Sequence, residues 1–252
     1  MGRLVFRVAR ELYLLFQMAT PTDELPFMCP DRGGDTLSWC VRFPGLRVVV
    51  PDLRSERRPD RVMGERGWSV LRSMLATPAA EHLLVLSSVP ALGPRLSWIE
   101  SVLTLLPRAQ KYEDDLRDQW QSHAHRKEWR ALLTALLEAH DSEGACVSVL
   151  SGEIHLATRG TIESGSGHLH QLVSSGIAHP PPPWAYARAL GALARLGESP
   201  LPDHPIRLWP LPGRREIYTT QRNYLLLERR SRRWCAWWEL EHDGPTPALT
   251  LE

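Results

Sequence analysis

Segment 126–151 constrains the fold more than any other part of the chain. In RKEWRALLTALLEAH, Arg126–His140, the apolar residues Trp129, Leu132, Leu133, Leu136 and Leu137 recur at helical intervals. That is the period of a helix burying one face. Asp141–Gly144 then turns directly into Cys146–Leu150, a short apolar run with β-branched valines. Such a run reads as a buried strand. A helix that needs burial and returns at once into a buried strand points to α/β (α+β) architecture.

The strand breaks abruptly into Ser151-Gly152-Glu153-Ile154-His155. A glycine there permits a sharp turn and close approach of a ligand. If the backbone stays extended, Glu153 and His155 point to the same side. An oxygen and a nitrogen donor would then stand at the carboxyl end of a buried strand, where α/β proteins place their chemistry. Such a pair suits Mn, Fe or Zn. A Glu-x-His on a solvated strand end is also an ordinary surface feature, so the spacing alone leaves both readings open.

Before this unit, Leu4, Val5, Val8, Leu12, Leu15 and Phe16 predict an amphipathic helix that needs burial, and residues 21–35 a loop. Leu37–Phe43 and Leu46–Pro51 read as an antiparallel pair turning at Pro44-Gly45. The polar cluster Asp52-Leu53-Arg54-Ser55-Glu56-Arg57 follows, either a site edge or a loop locked by its own charges. A helix is predicted over Met63–Ala76, with Met63, Trp68, Leu71 and Leu75 inward. A strand is predicted over His82–Val89 and a short helix over Ser97–Leu106, followed by the charged stretch Tyr112–Gln121. After His155 the chain reads as loop to Gly167, and Leu169–Ile177 as strand or loop. His179–Pro183 is a rigid polyproline spacer before a helix over Trp184–Leu196 that ends near Gly197. The last predicted strands are Ile206–Trp209, Glu216–Thr220, Asn223–Arg229 and Trp234–Leu240, the final two joined by an arginine-rich turn.

With 252 residues the chain is long enough to bury a sizeable core, and one domain over 1–252 is expected. A formal net charge of +1 argues against a dedicated nucleic-acid or acidic-membrane binder. Arg229–Arg233 beside Trp234, Trp237 and Trp238 could bind single strands. In a hairpin turn, however, a solvated charge run is the ordinary explanation. The four cysteines show no CxxC spacing, which favours reduced thiols in the cytoplasm. Arg3, Arg7, Arg10 and Glu11 interrupt the first apolar run, so neither a signal peptide nor a membrane span is expected.

Several segments together resemble the PhoD-like phosphatases of the calcineurin-like metallophosphatase superfamily. They are LSGEIH at Leu150–His155, VVVPDLRSER at Val48–Arg57, VMGERGWSVLRSML at Val62–Leu75, YEDDLRDQW at Tyr112–Trp120, QLVSSGIAHPPP at Gln171–Pro182 and PLPGRREIYTTQRNYLLLE at Pro210–Glu228. The matches keep their order almost from end to end, and they are closest to the bacterial branch. The resemblance implies a four-layer αββα sandwich with two mixed β-sheets. It also implies hydrolysis of a phosphate monoester or diester at a cluster of Fe, Mn, Ca or Zn ions. His155 matches the family's metal-ligand histidine, and Glu153 stands where the family has an aspartate. Arg54 and Arg57 would hold the loop or the phosphate, and Asp52, Asp115 and Arg117 would be structural or edge the site.

The family's other ligand motifs normally precede these segments, and no displaced copy follows here. Asp114, Asp115 and His123 lie on no strand-end glycine motif. The chain therefore reads as the C-terminal portion of a metallophosphatase domain, with an open sheet edge that invites self-association. Two functions follow as expectations. One is a metal-dependent phosphoesterase, possible only with the remaining donors supplied. The other is a non-catalytic remnant or interaction protein that keeps this part of the fold.

Overall fold

The structure, a computed structural model, describes residues 2–21, 24–76, 82–94, 119–142, 146–152, 155–231 and 233–251. The described helices are α1 (Gly2–Phe16), α2 (Glu65–Ala76), α3 (Arg126–Asp141) and α4 (Trp184–Ala194). The main strands are β1 (Trp39–Phe43), β2 (Leu46–Val50), β3 (His82–Ser87), β4 (Cys146–Ser151), β5 (Thr158–Ser164) and β6 (Gly167–Val173). They continue with β7 (Glu198–Leu201), β8 (His204–Trp209), β9 (Asn223–Arg230) and β10 (Arg233–Leu240), and the short β11 (Gly244–Pro245) and β12 (Leu249–Leu251) close the series. Among the described residues no helix is long and apolar enough to cross a membrane.

Eight strands form one mixed sheet in the order β1-β2-β3-β4-β6-β5-β8-β7. Its centre, β2 to β3 to β4 to β6, is parallel throughout. Parallel strands are buried on both faces, and alternate residues of this sheet feed two cores. Val49, Leu83, Val85, Val147 and Val149 join Leu71 of α2 and Trp129, Leu133 and Leu136 of α3 in the first core. The opposite face carries Leu150 and Leu172, which pack with Ala236, Trp238 and Leu240 of the second sheet. That sheet is built on β10, flanked by β9 on one side and by β11 and β12 on the other, and it is antiparallel throughout. Helices α2 and α3 on one face and a second sheet on the other give the expected α/β sandwich, but the second sheet is antiparallel where a mixed one was expected.

Two polar side chains tie these layers to the segments beside them. Gln171 bridges to the chain after β3, its Oε1 accepting from Leu92 N–H at 2.7 Å and its Nε2 donating to Leu92 O at 2.6 Å. Glu128, in the first turn of α3, accepts from Val62 N–H at 2.6 Å and from Trp68 Nε1 at 3.0 Å, joining α3 to the start of α2.

The helix over 126–140 and the hairpin at Pro44-Gly45 match their sequence expectations, and Gly45 takes the positive φ of +72° that such a turn requires. Three expectations change. The stretch after His155 is a hairpin, β5 and β6, rather than a loop. Its inward positions are Thr158, Gly160 and Ile162, so the alternation is hidden by small or polar residues on the buried side. Second, 216–220 is not a strand; Thr219 alone makes a bridge, to Ala157. Third, α1 buries Leu14 while Leu4, Val5, Val8, Leu12, Leu15 and Phe16 face solvent, so the burial predicted for that helix is not met among the described residues. The helix expected over 97–106 lies outside the described residues.

His82 is a buried imidazole between the sheets. Its Nε2 lies 3.2 Å from Ser148 Oγ, and its ring lies 6.0 Å from that of Trp234. Burial, reinforced by His170 and His140, pushes its pKa down from 6.5 to about 4. The unfolded chain therefore binds a proton that the folded chain refuses. Stability present above pH 6.5 is lost as the pH falls toward 4. Urea titrations across that window are expected to show a loss on the order of 3 kcal/mol, with a shallower slope for His82→Asn. Equal slopes in the two proteins would contradict this account of His82.

Candidate functional site

The parallel ladder brings strand ends together. Val49 pairs with Val85, Ser87 with Ser151, and Ser151 with Val173. The carboxyl ends of β2, β3, β4 and β6 therefore open on one edge of the sheet, and the chain leaves that edge at Asp52, Ser88, Gly152 and Ser174.

At the end of β4 and β6 the backbone is tied firmly. Ser174 N–H donates to Ser151 O at 2.9 Å, and Trp238 Nε1 donates to Val173 O at 3.0 Å. Asn223, at the start of β9, is buried. Its Oδ1 accepts from Ser175 N–H at 3.1 Å, and its Nδ2 donates to Ser175 Oγ at 2.7 Å. The second sheet thus clamps the corner where the chain turns out of the first.

His155 stands in this corner. Its backbone has φ +55°, so the extended conformation that would align it with Glu153 is not kept at His155. Its ring stacks on that of His179, with centroids 4.0 Å apart and planes at 19°. His179 Nδ1 lies 2.8 Å from Pro180 O. A carbonyl only accepts, so Nδ1 carries the hydrogen and Nε2 of the neutral ring keeps its lone pair. Among the described residues His155 Nδ1 is buried without a hydrogen-bond partner, as are Ser151 Oγ, Thr158 Oγ1 and Thr219 Oγ1. Ser151 and Thr158 flank Val173 in register, and Thr219 pairs with Ala157, so these atoms lie around the same corner.

Of the thirteen such atoms among the described residues, these four gather at one corner, where a polar ligand would find partners. His155 fits one position in a coordination shell. Among the described residues, however, no three His, Cys, Asp or Glu side chains form a metal-holding group.

Glu153, Asp115 and Arg117 lie outside the described residues. Asp52 is at the end of β2, two strands from His155. Its Oδ2 accepts from Leu37 N–H at 2.8 Å, and its Oδ1 accepts from Arg54 N–H at 2.9 Å and Ser55 N–H at 3.0 Å. Both oxygens are committed to the loop. Four residues on, Glu56 Oε2 accepts from Gly67 N–H at 2.7 Å in the first turn of α2, where a carboxylate meets orphan N–H groups and the positive end of the helix dipole. Arg57 is half-buried, and its N–H donates to Arg54 O at 3.3 Å. Arg54 is exposed and borders a mainly apolar cavity of about 370 Å³ beneath α1. The structure brings Asp52, Arg54 and Arg57 together as a locked loop and leaves His155 in a separate corner.

In the sequence His179 reads as part of a spacer, and Asn223, Thr158 and Thr219 carry no motif that marks them. An imidazole immediately before four prolines was the available signal for His179, because a rigid segment fixes the ring it carries. The other three depend on strand pairing.

Comparison with known proteins agrees with the architecture. Residues 1–113 match the family model described as PhoD related phosphatase. A Saccharomyces cerevisiae protein, Uncharacterized protein YGR266W, is 27% identical over 171 residues, covering 58% of this chain and 24% of that protein. A solved structure, "Structure of PhoD", superposes with a TM-score of 0.56 at 12% identity, covering 90% of this chain and 43% of that one. The chain spans about a quarter of the curated relative it matches and less than half of the PhoD chain. Its fold is PhoD-like.

Because Asp52 satisfies three N–H groups, Asp52→Ala is expected to cost on the order of 2–3 kcal/mol in urea denaturation. Metal uptake at saturating ion should be unchanged. Lost metal with unchanged stability would assign Asp52 to the site instead.

Proposed function

We propose that this chain contributes the histidine-bearing wall of a metal-dependent phosphoesterase site, acting on phosphomonoesters or phosphodiesters. His155 and Glu153 serve as ligands to Fe, Mn, Ca or Zn. The observation that supports this reading is the state of His155. A non-glycine residue in the left-handed region costs about 1 kcal/mol or more, and an unpartnered buried nitrogen costs about 1–3 kcal/mol. Two costs at one residue, placed at the carboxyl end of a parallel strand, point to a role beyond packing. The PhoD-like fold, and a family match over residues 1–113 that ends before His155, support phosphoesterase chemistry as that role.

When bound, the ion would act as a Lewis acid that neutralises charge developing on the phosphoryl group. The chain's own contribution is to hold an imidazole at a fixed position. His179 stacks on one face of His155 and restrains the ring plane, and the Asn223 clamp fixes Ser174 and Ser175 on the chain that leads to His179. Glu153 and the further donors this reading needs lie outside the described residues. The four free cysteines support a reducing, cytoplasmic setting.

A second reading is a non-catalytic interaction protein that retains the fold. It is favoured by the absence of a three-donor group among the described residues. Metal content separates the two. The 252-residue protein would be loaded with Mn, Fe, Zn and Ca in turn and bound ion quantified by mass spectrometry. About one equivalent or more is expected in the wild type, lost in His155→Ala, together with hydrolysis of bis(p-nitrophenyl) phosphate. No ion in either protein would favour the second reading.

His155→Gly adds an internal control. It removes the imidazole and relieves the left-handed backbone, so stability is expected to rise by about 1 kcal/mol while metal is lost. A destabilised glycine variant would contradict the account of His155.

A further inference from the structure

α4 faces segment 214–221 across a groove. The helix approaches closely because its facing side is small: a Cβ on Gly191 would stand 3.8 Å from Ile217 Cβ and 3.9 Å from Tyr218 Cδ2. Two adjoining cavities, about 270 and 350 Å³, open along this groove and share Ala187, Arg188 and Glu216 as walls. The first reaches Trp184 and Thr219, and the second reaches Arg195 and Arg215. Thr219 bridges to Ala157, and α4 begins directly after the prolines that follow His179. The near end of the groove therefore adjoins the His155 corner.

Four guanidinium groups line the groove. Arg188 of α4 and Arg195, the residue that caps its C-terminus, are two helical turns apart, about 10 Å along the axis. Arg214 and Arg215 belong to the facing wall. Arg214 is paired with Asp243 at 2.6 Å, and Arg188 lies over the Trp184 ring at 5.4 Å. The side chains of Arg195 and Arg215 make no hydrogen bond or ion pair among the described residues. Against four arginines stand two carboxylates, Glu216 in the groove and Asp243 on Arg214. Like charges facing one another repel, and a bound polyanion relieves that repulsion.

We propose that this groove binds a chain of linked phosphates, an oligophosphate, with Arg188, Arg195 and Arg215 taking its charges. A single phosphate meets one wall, whereas a chain reaches from Arg188 toward Arg195 and across to Arg215. Guanidinium forks suit phosphate oxygens, and the paired Arg214 forms a fixed rim. The same chemistry is carried by inorganic oligophosphate and by the tail of a nucleotide. Trp184, 65% exposed at the near end, offers a face on which a base would stack. The proposal stands on the groove's charge and shape and does not require hydrolysis at His155.

Calorimetric titration tests it, at low salt and with EDTA present so that no metal bridges ligand to His155. Tripolyphosphate, orthophosphate and ATP would be titrated into wild type, Arg195→Gln/Arg215→Gln, Trp184→Ala and His155→Ala. Tripolyphosphate is expected to bind wild type and His155→Ala alike, about tenfold more weakly to the double arginine variant, and about tenfold more tightly than orthophosphate. ATP tighter than tripolyphosphate, and weakened in Trp184→Ala, would support the proposal with a nucleotide as source. Equal binding of the two would support it with inorganic oligophosphate. No saturable binding, equal affinity in the double variant, or orthophosphate binding as tightly would overturn it. Loss of binding in His155→Ala alone would place the anion at the His155 corner, overturning the groove while leaving the phosphoesterase reading intact.

Discussion

The parallel register of β2, β3, β4 and β6 is the constraint on which the rest depends. Parallel strands must be covered on both faces, and here α2 and α3 cover one and the β9–β12 sheet covers the other. The register that aligns Ser87, Ser151 and Val173 also brings the carboxyl ends of these strands to one edge. A slip of one residue would turn Val147 and Val149 from the helices toward the second sheet and expose the opposite set in their place. It would also move Ser151 and Val173 out of the corner that holds His155. Packing and site are thus fixed by the same hydrogen-bond ladder.

Along that edge two kinds of polar group can be told apart by their partners. Asp52 has both carboxylate oxygens, and Glu56 its Oε2, committed to backbone N–H groups, and their work is to hold the loop and start α2. Asn223 is committed in the same way, with its amide spread over Ser174, Ser175 and Gln221. His155, Ser151, Thr158 and Thr219 differ: each buries a polar atom with no partner among the described residues. Satisfied groups make the corner rigid, and unsatisfied ones give it something to offer. A site needs both, because a donor is useful only when its surroundings prevent it from turning away.

Much of the frame was legible in the sequence because its signals are local. Trp129 through Leu137 carry the helical period of α3, Cys146–Leu150 is apolar enough to be a central strand, and Pro44-Gly45 is turn chemistry. β5 was hidden because its inward residues are Thr158, Gly160 and Ile162, where polar and small side chains mask a two-residue period. The register of β10 was uncertain for the opposite reason, since Trp234, Trp237 and Trp238 put large apolar residues on both faces. Within the site, His155 was found from its place at a strand end, but its orientation was not. An extended chain was the simplest assumption for Glu153 and His155, and the positive φ at His155 breaks it. His179 arrives from a separate segment, and the stack depends on the chain reversing after Ser175, which periodicity does not report.

The central claim is that the imidazole of His155 is held for a ligand. Anomalous diffraction from crystals of the protein grown with Mn(II) tests it most directly. The account predicts a manganese peak within about 2.0–2.3 Å of a nitrogen of His155, with the imidazole stack on His179 retained. A fully loaded crystal with manganese elsewhere, and His155 Nδ1 hydrogen-bonded to a protein group, would contradict it.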